Sequence, residues 1–228
     1  MWPSTAGELE ALQRELAVEW RGEARWQMPM KVSELRVGGV FVASERREPD
    51  PGPGAAGDMA WAAAAVVVDG QLVDGVAMEA RFDATYVPGL LAAREGRLLE
   101  TVVNRLACAP DVLLVNATGR DHPRRAGLAL QLGWACRLPT VGVTDRPLLA
   151  QGAAPGPLWL DDEVVGYWVH TRGDARAVVA HAGWRTDAET ARNLLLALRG
   201  TGRTPEPLRQ ARRLARTLRA QSRLGFAV

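Results

Sequence analysis

The stretch Val112-Leu-Leu-Val115 is followed directly by Asn116-Ala-Thr-Gly-Arg-Asp-His-Pro-Arg-Arg-Ala-Gly-Leu-Ala129. The four apolar residues predict a short buried strand, and the apolar run Ala126 to Cys136 predicts a helix. A polar turn with glycine, histidine and arginine lies between them. Because backbone N–H groups at glycine-containing turns and helix N-termini bind anions, this stretch predicts a phosphate-handling turn.

The residues before this turn predict one helix and three antiparallel strands. A capping-box pattern from Thr5 to Glu8 begins the helix, which extends to about Trp20. The strands are predicted at Leu35 to Ala43, Met59 to Val68 and Gln71 to Phe82, with a loop from Ser44 to Asp58 and a hairpin turn at Asp69-Gly70.

Helices and short strands then alternate along the chain. Apolar periodicity predicts two further helices, at Gly89 to Leu106 and at Thr186 to Leu198. A further short strand is predicted at Thr140 to Val143. Val164 to His170 and Ala177 to His181 predict a hairpin around Arg172-Gly173-Asp174. This order predicts a single α/β domain over residues 1–228, with a ribonuclease-H-like mixed sheet. We expect an antiparallel meander plus parallel strands, flanked by helices.

Composition excludes a polycation, because the formal net charge is only +2. The basic residues are nonetheless unusual, since Lys31 is the only lysine. Arginine suits bidentate phosphate recognition, but a genomic bias towards arginine codons explains the same composition. The segment 204–228 predicts an amphipathic helix with a basic face formed by Arg209, Arg212, Arg213, Arg216, Arg219 and Arg223. That face either follows a phosphate backbone or is simply solvated.

The chain predicts a cytoplasmic protein with no membrane partner. Its N-terminal residues lack the basic and apolar regions of a signal peptide. The longest apolar run, Met59 to Val68, is too short to span a bilayer. The oligomeric state does not follow from the sequence.

Phosphodiester hydrolysis at a metal site needs several carboxylates around Mg²⁺. Glu95 lies on the apolar side of its predicted helix, where an acid must be metal-bound or paired, for example with Arg94 or Arg125. Glu189 lies in the first turn of the last helix, a place that the helix dipole alone also favours. The predicted fourth strand ends at the neutral Asn116, and the first strand carries no acid.

Several ordered blocks between Leu35 and Leu198 resemble endonuclease V, a metal-dependent nuclease family that cuts near deaminated purines, chiefly inosine, in DNA or RNA. The blocks are Tyr86-Val-Pro-Gly89 with Arg94-Glu95, Thr118 to Ala129 with its His-Pro-Arg, Pro139-Thr-Val-Gly-Val143, and Gly183-Trp-Arg-Thr186. A lone His-Pro-Arg would be weak evidence, whereas blocks in this order and spacing indicate the fold.

The resemblance implies a role for each matched residue. Glu95, Asn116 and Glu189 would hold Mg²⁺, or Mn²⁺ in its place, with Glu95, His122 and Glu189 as catalytic residues and His122 on a phosphate. Tyr86, Val87, Pro88 and Gly89 would form a wedge that parts strands, Gly119 and Gly142 would line the base pocket, and Arg124 and Arg125 would hold phosphates. The implied partner is DNA or RNA, single-stranded or containing inosine.

Three departures from the family pattern affect catalysis. Val40 and Asn116 stand where the family has metal-binding aspartates, and Asp145 stands near the position of its lysine. Losing two carboxylates weakens Mg²⁺ binding, so we expect recognition of inosine with cleavage impaired or lost. The alternative is an active Mg²⁺-dependent endonuclease whose rearranged site uses Glu95, Glu189 and Asp145. Asp145 either replaces a lost carboxylate or fills space beside Arg146.

Overall fold

The computed structural model describes residues 2–45, 54–173, 175–200 and 202–224. The strands are β1 (Val37–Ser44), β2 (Met59–Val68), β3 (Gln71–Arg81), β4 (Val112–Val115), β5 (Thr140–Thr144), β6 (Pro157–Leu160), β7 (Glu163–Val169) and β8 (Val178–Ala182). The helices are α1 (Ala6–Gly22), α2 (Leu91–Asn104), α3 (Leu128–Cys136), α4 (Ala188–Ala197) and α5 (Glu206–Arg223), and a single 3-10 turn spans Val32–Glu34.

All eight strands pair into one mixed sheet with the order β3-β2-β1-β4-β5-β8-β7-β6. β1, β2 and β3 form the expected antiparallel meander, whereas β1 runs parallel to β4 and β4 parallel to β5. The register places Val40 opposite Val115, and Val115 opposite Gly142. Because parallel strands end at the same edge of a sheet, the residues after β4 lie beside the second half of β1.

Helices cover both faces of the sheet. On one face, α2 and α3 bury an apolar cluster that includes Val40, Leu99 and Leu128. On the other face, a second cluster joins β4 and β5 to α4 and α5, with Leu194 and Leu208 in its interior. Burying one apolar side chain of this size stabilises a fold by about 1.5–3 kcal/mol, so these clusters account for the stability of the sandwich.

The N-terminus of α2 is set by the backbone of Gly89. The predicted helix begins at Gly89, but this residue has a φ of +78°, which is outside the helical region. The helix therefore begins at Leu91. The residues just before it, Tyr86 to Pro88, form an exposed loop instead of a first helical turn.

The Arg-rich C-terminal segment packs against the meander. α5 contacts β1, β2 and β3, and a Cβ atom added at Gly39 would lie 2.3 Å from the backbone carbon of Pro207. Only glycine permits this approach of the helix to β1. The apolar side of α5 consists mainly of Leu208, Ala211 and Ala215, which are buried.

The structure adds a strand that the sequence did not predict. β6 begins at Pro157, in a stretch whose prolines and glycines indicate a loop. It lies at the edge of the sheet, where the missing N–H of a first-residue proline removes no necessary pairing. Residues 46–53 of the predicted loop from Ser44 to Asp58 lie outside the described residues, as does Asp174 of the predicted hairpin turn. Within the described ranges, no helix is long and apolar enough to cross a membrane.

Candidate active site and nucleic-acid interface

A small cavity of about 160 Å³ opens between α2 and the edge where β1 and β4 end. Its two polar residues are Glu95 and Asn116. The remaining wall is apolar and comprises Val40, Phe41, Val42, Leu91, Leu99, Val115 and Leu128. The structure thus brings together three of the residues that the resemblance singles out, Val40, Glu95 and Asn116.

Glu95 is half-buried and pairs with neither arginine considered above. Arg94 donates to the carbonyl oxygens of Ala55 and Ala84, and its guanidinium lies 3.5 Å from the centre of the Phe82 ring. Arg125 instead binds Asp161, with 2.6 Å between the charged atoms. Burial raises the pKa of the Glu95 carboxyl to about 7, although the charge of Arg94 opposes the rise. Near neutral pH a substantial fraction of this carboxyl is therefore protonated.

The cavity is a poor match for Mg²⁺. This cation prefers several hard oxygen ligands, usually including more than one negative charge from protein or substrate. The cavity supplies the Glu95 carboxyl and the neutral Asn116 side chain, while the Val40 side chain has no donor atom. Nowhere in the described parts of the chain do three or more His, Cys, Asp or Glu side chains gather in a way that could hold a metal ion.

The other two acids considered for the metal site lie elsewhere. Glu189 is exposed in the first turn of α4, and this helix packs against β7 and β8. Asp145 is exposed at the end of β5, and its carboxylate lies 2.6 Å from the guanidinium of Arg203. Glu95 and Asn116 line the cavity and Glu189 does not, and the predicted grouping of all three around a metal ion stays a prediction.

The predicted wedge is an exposed loop with one firmly held end. Tyr86 and Val87, which are adjacent in this loop, are 39% and 45% exposed. The carbonyl oxygen of Gly89 lies 3.1 Å from nitrogen atoms of three side chains, those of Gln13, His122 and Arg124. These contacts fix the point where the loop enters α2.

His122 is buried, and its side chain forms a hydrogen bond to Gly89 at the end of the wedge. Its Nδ1 accepts the backbone N–H of Arg124 at 3.2 Å, so Nε2 carries the proton and donates to the Gly89 carbonyl. Burial lowers the pKa of His122 to about 4, which keeps the ring neutral at physiological pH. Since both ring nitrogens are engaged within the protein, His122 positions the wedge in this structure, and the predicted phosphate contact would require these bonds to break.

The two arginines after His122 are also held by protein groups. Arg124 donates to Gln13 and lies 3.5 Å from Glu10 of α1. Arg125, besides its ion pair with Asp161, donates to the carbonyl oxygen of Leu160 at 2.9 Å. In this structure both side chains tie the turn to its neighbours, and phosphate binding by either stays a prediction.

Gly119 and Gly142 mark a close crossing of backbone segments. A Cβ atom at Gly119 would lie 1.9 Å from the carbonyl oxygen of Ala182, and one at Gly142 would lie 2.4 Å from that of Ala117. Side chains cannot be accommodated at such distances. The structure therefore explains both glycines by packing, and their predicted place in a base pocket is not needed to account for them.

Three buried polar residues in this region were not identified from the sequence. Arg120 is fully buried, makes two hydrogen bonds with Glu163 at 2.9 and 2.7 Å, and stacks on Trp20. Asp121 accepts three backbone N–H groups from residues 148–150. His181 is fully buried with Nδ1 3.7 Å from Asp121. Arg120 and Asp121 lie in a polar turn, which normally predicts exposed side chains, so no local pattern marks these two residues as interior.

Comparisons with known proteins agree with this architecture. The family model for endonuclease V matches residues 30–213. The endonuclease V of Methanopyrus kandleri is 40% identical over 166 residues, which cover 68% of this chain and 72% of the relative. A crystal structure of endonuclease V from Streptomyces avermitilis has a TM-score of 0.81 at 32% identity, covering 97% of this chain and 96% of that one.

A more distant structure shares the fold. It is Ciona intestinalis endonuclease V in complex with a 24mer DNA containing an inosine followed by a ribo-adenosine, and it has a TM-score of 0.77 at 19% identity over 95% of this chain and 98% of that one. The superpositions confirm the predicted ribonuclease-H-like fold. The chain belongs to the endonuclease V family.

The raised pKa of Glu95 predicts a specific pH dependence of stability. The folded state holds this proton more tightly than the unfolded state, so its contribution is full below about pH 4.5 and is lost as the pH rises to about 7. We expect Glu95→Gln to match the wild type near pH 4.5 and to be more stable by roughly 3 kcal/mol at pH 8. Urea unfolding at both pH values measures this difference. Identical pH profiles for the two proteins would contradict the assignment.

The anchoring of Gly89 predicts local loosening when His122 is removed. We expect His122→Ala to speed hydrogen exchange at the Leu90 amide, which closes the wedge turn onto the Val87 carbonyl. Loss of the buried hydrogen bonds should also lower the free energy of unfolding by about 1–3 kcal/mol. His170→Ala is the control, because His170 contacts Ala175 and lies in a different loop. Unchanged exchange at Leu90 would show that Gln13 and Arg124 suffice.

Proposed function

We propose that this member of the endonuclease V family recognises a deaminated purine, inosine, in DNA or RNA and cleaves the phosphodiester weakly or not at all. The observation that carries the proposal is the composition of the cavity beside α2. Glu95 is the only carboxylic acid in the lining of this cavity. Val40 and Asn116 also line it, and they occupy the two positions where the family pattern has aspartates. Recognition and cleavage therefore rest on different parts of the molecule.

Recognition is supported by the wedge. Displacing a base from its stack costs a few kcal/mol, and exposed apolar or aromatic side chains can offset this by occupying the vacated space. Tyr86 and Val87 are exposed on a loop whose far end is fixed at Gly89. The family relationship and the inosine-containing DNA bound by the Ciona protein favour inosine as the base.

Loss of cleavage is supported by the electrostatics of the cavity. Two unit charges 4 Å apart interact by about 4 kcal/mol at an effective dielectric constant of 20, so each missing carboxylate removes several kcal/mol of attraction for a divalent cation. The remaining Glu95 is itself partly protonated near neutral pH. A cavity with this donor set holds Mg²⁺ or Mn²⁺ weakly, so metal-dependent hydrolysis of the phosphodiester is slow or absent.

The alternative is an active Mg²⁺-dependent endonuclease that uses Glu95, Glu189 and Asp145. It would require Asp145 to leave Arg203 and α4 to bring Glu189 across the sheet. A cleavage assay separates the two possibilities, because only the active enzyme loses activity when Glu95 is changed.

We expect that restoring the two missing carboxylates in the cavity restores metal-dependent cleavage. With Mn²⁺ and a single-stranded oligonucleotide containing one inosine, wild type and Glu95→Ala should show the same background rate. The double variant Val40→Asp/Asn116→Asp should raise cleavage by at least about tenfold, equivalent to about 1.4 kcal/mol of barrier. The same assay on RNA determines which nucleic acid is preferred.

Two controls make this outcome interpretable. Circular dichroism must show that the double variant is folded, because Val40 is fully buried and an aspartate there is costly without a cation. Fluorescence anisotropy must show that the wild type binds the inosine oligonucleotide more tightly than a matched adenosine one. Glu95-dependent cleavage by the wild type contradicts the loss of activity, and equal affinity for both oligonucleotides contradicts inosine recognition.

A further inference from the structure

A groove of about 550 Å³ runs along the outer side of α5. Its charged residues are Glu206, Arg209, Arg212, Arg213 and Arg216, and we call this surface the arginine groove. The helix brings these residues onto one side because they recur at intervals of three and four. This groove is separate from the cavity beside α2.

The positive charge in the arginine groove is largely unbalanced. Glu206 lies 2.8 Å from the guanidinium of Arg209 and is the only acid in the lining. Arg213 and Arg216 are exposed, and among the described residues neither forms a hydrogen bond or an ion pair. Like charges this close repel each other, so the arrangement favours an anion between them.

Arg212 gives an independent indication of an anionic ligand. Its guanidinium carbon lies 5.0 Å from the centre of the Phe41 ring, which holds the side chain against β1. The Nε atom is buried, and within the described part of the chain it has no hydrogen-bond partner. Burial and the neighbouring Arg216 lower the pKa of Arg212, while the charge of Asp145 opposes the fall. A buried donor of this kind is costly when it is left unmatched.

The position of the groove relates it to the candidate site. Phe41, which supports Arg212, also lines the cavity that contains Glu95. α5 and the cavity therefore lie on the two sides of β1. Phe41 thus connects the groove directly to the cavity.

We propose that the arginine groove binds the sugar-phosphate backbone of the nucleic acid beside the recognised base. The nature of the ligand rests on the proposed function. Residues three and four apart on a helix have Cβ atoms about 5–6 Å apart, so their guanidinium groups can bind neighbouring phosphates in a bidentate manner. Such contacts add affinity and salt dependence without reading the sequence.

The test measures how binding of an inosine-free single-stranded oligonucleotide depends on salt. Each phosphate contact to a single strand contributes about 0.7 to the slope of log K against log salt concentration. Arg213→Ala/Arg216→Ala should therefore flatten the wild-type slope by about 1.4, whereas Arg213→Lys/Arg216→Lys should keep most of it. Fluorescence anisotropy between 50 and about 200 mM salt covers the useful range.

A matched control separates local contact from net charge. Arg21→Ala/Arg192→Ala removes two exposed arginines from α1 and α4 and changes the net charge equally. We expect its slope to equal that of the wild type. The proposal is overturned if the two alanine double variants have the same slope, or if the wild type does not bind the oligonucleotide at low salt. Failure of inosine preference, by contrast, would contradict the proposed function and leave the slope comparison valid.

Discussion

The structure depends on the tight backbone crossing that follows β4. Gly119 lies so close to the Ala182 carbonyl that no side chain fits between them, and the same holds for Gly142 and the Ala117 carbonyl. This crossing carries His122 beneath the wedge loop, where its ring holds the carbonyl of Gly89. A backbone contact in the interior thereby determines the position of the exposed apolar loop. Packing of this kind needs no metal ion, so the fold can persist when the catalytic charges change.

Valine at position 40, in the centre of the sheet, favours packing and disfavours cation binding. Clustered carboxylates repel one another and resist burial, whereas Val40 packs without exposure among the apolar residues of α2 and α3. Val40 is part of this apolar core, and its side chain offers no ligand atom to a cation. Glu95 remains as a partly buried acid whose pKa is raised to about 7.

Much of the architecture could be predicted from apolar periodicity, and the meeting of Val40, Glu95 and Asn116 followed from the family pattern. The partners of the polar turn could not be predicted, because they come from distant segments. Arg124, for example, is held by Gln13, which is 111 residues away. The position of Glu189 was likewise not predictable, since spacing places it on a helix but not on a face of the sheet. Strand β6 could not be predicted because the prolines and glycines around it are typical of a loop, although an edge strand tolerates them.

We propose that the cavity beside α2 does not hold an ordered divalent cation. Anomalous diffraction from crystals soaked in Mn²⁺ tests it most directly, because manganese takes the oxygen ligands that magnesium prefers and is visible by its own scattering. The account predicts no anomalous peak within ligand distance of the Glu95 carboxyl. An ordered ion bound by Glu95 and Asn116 would contradict it.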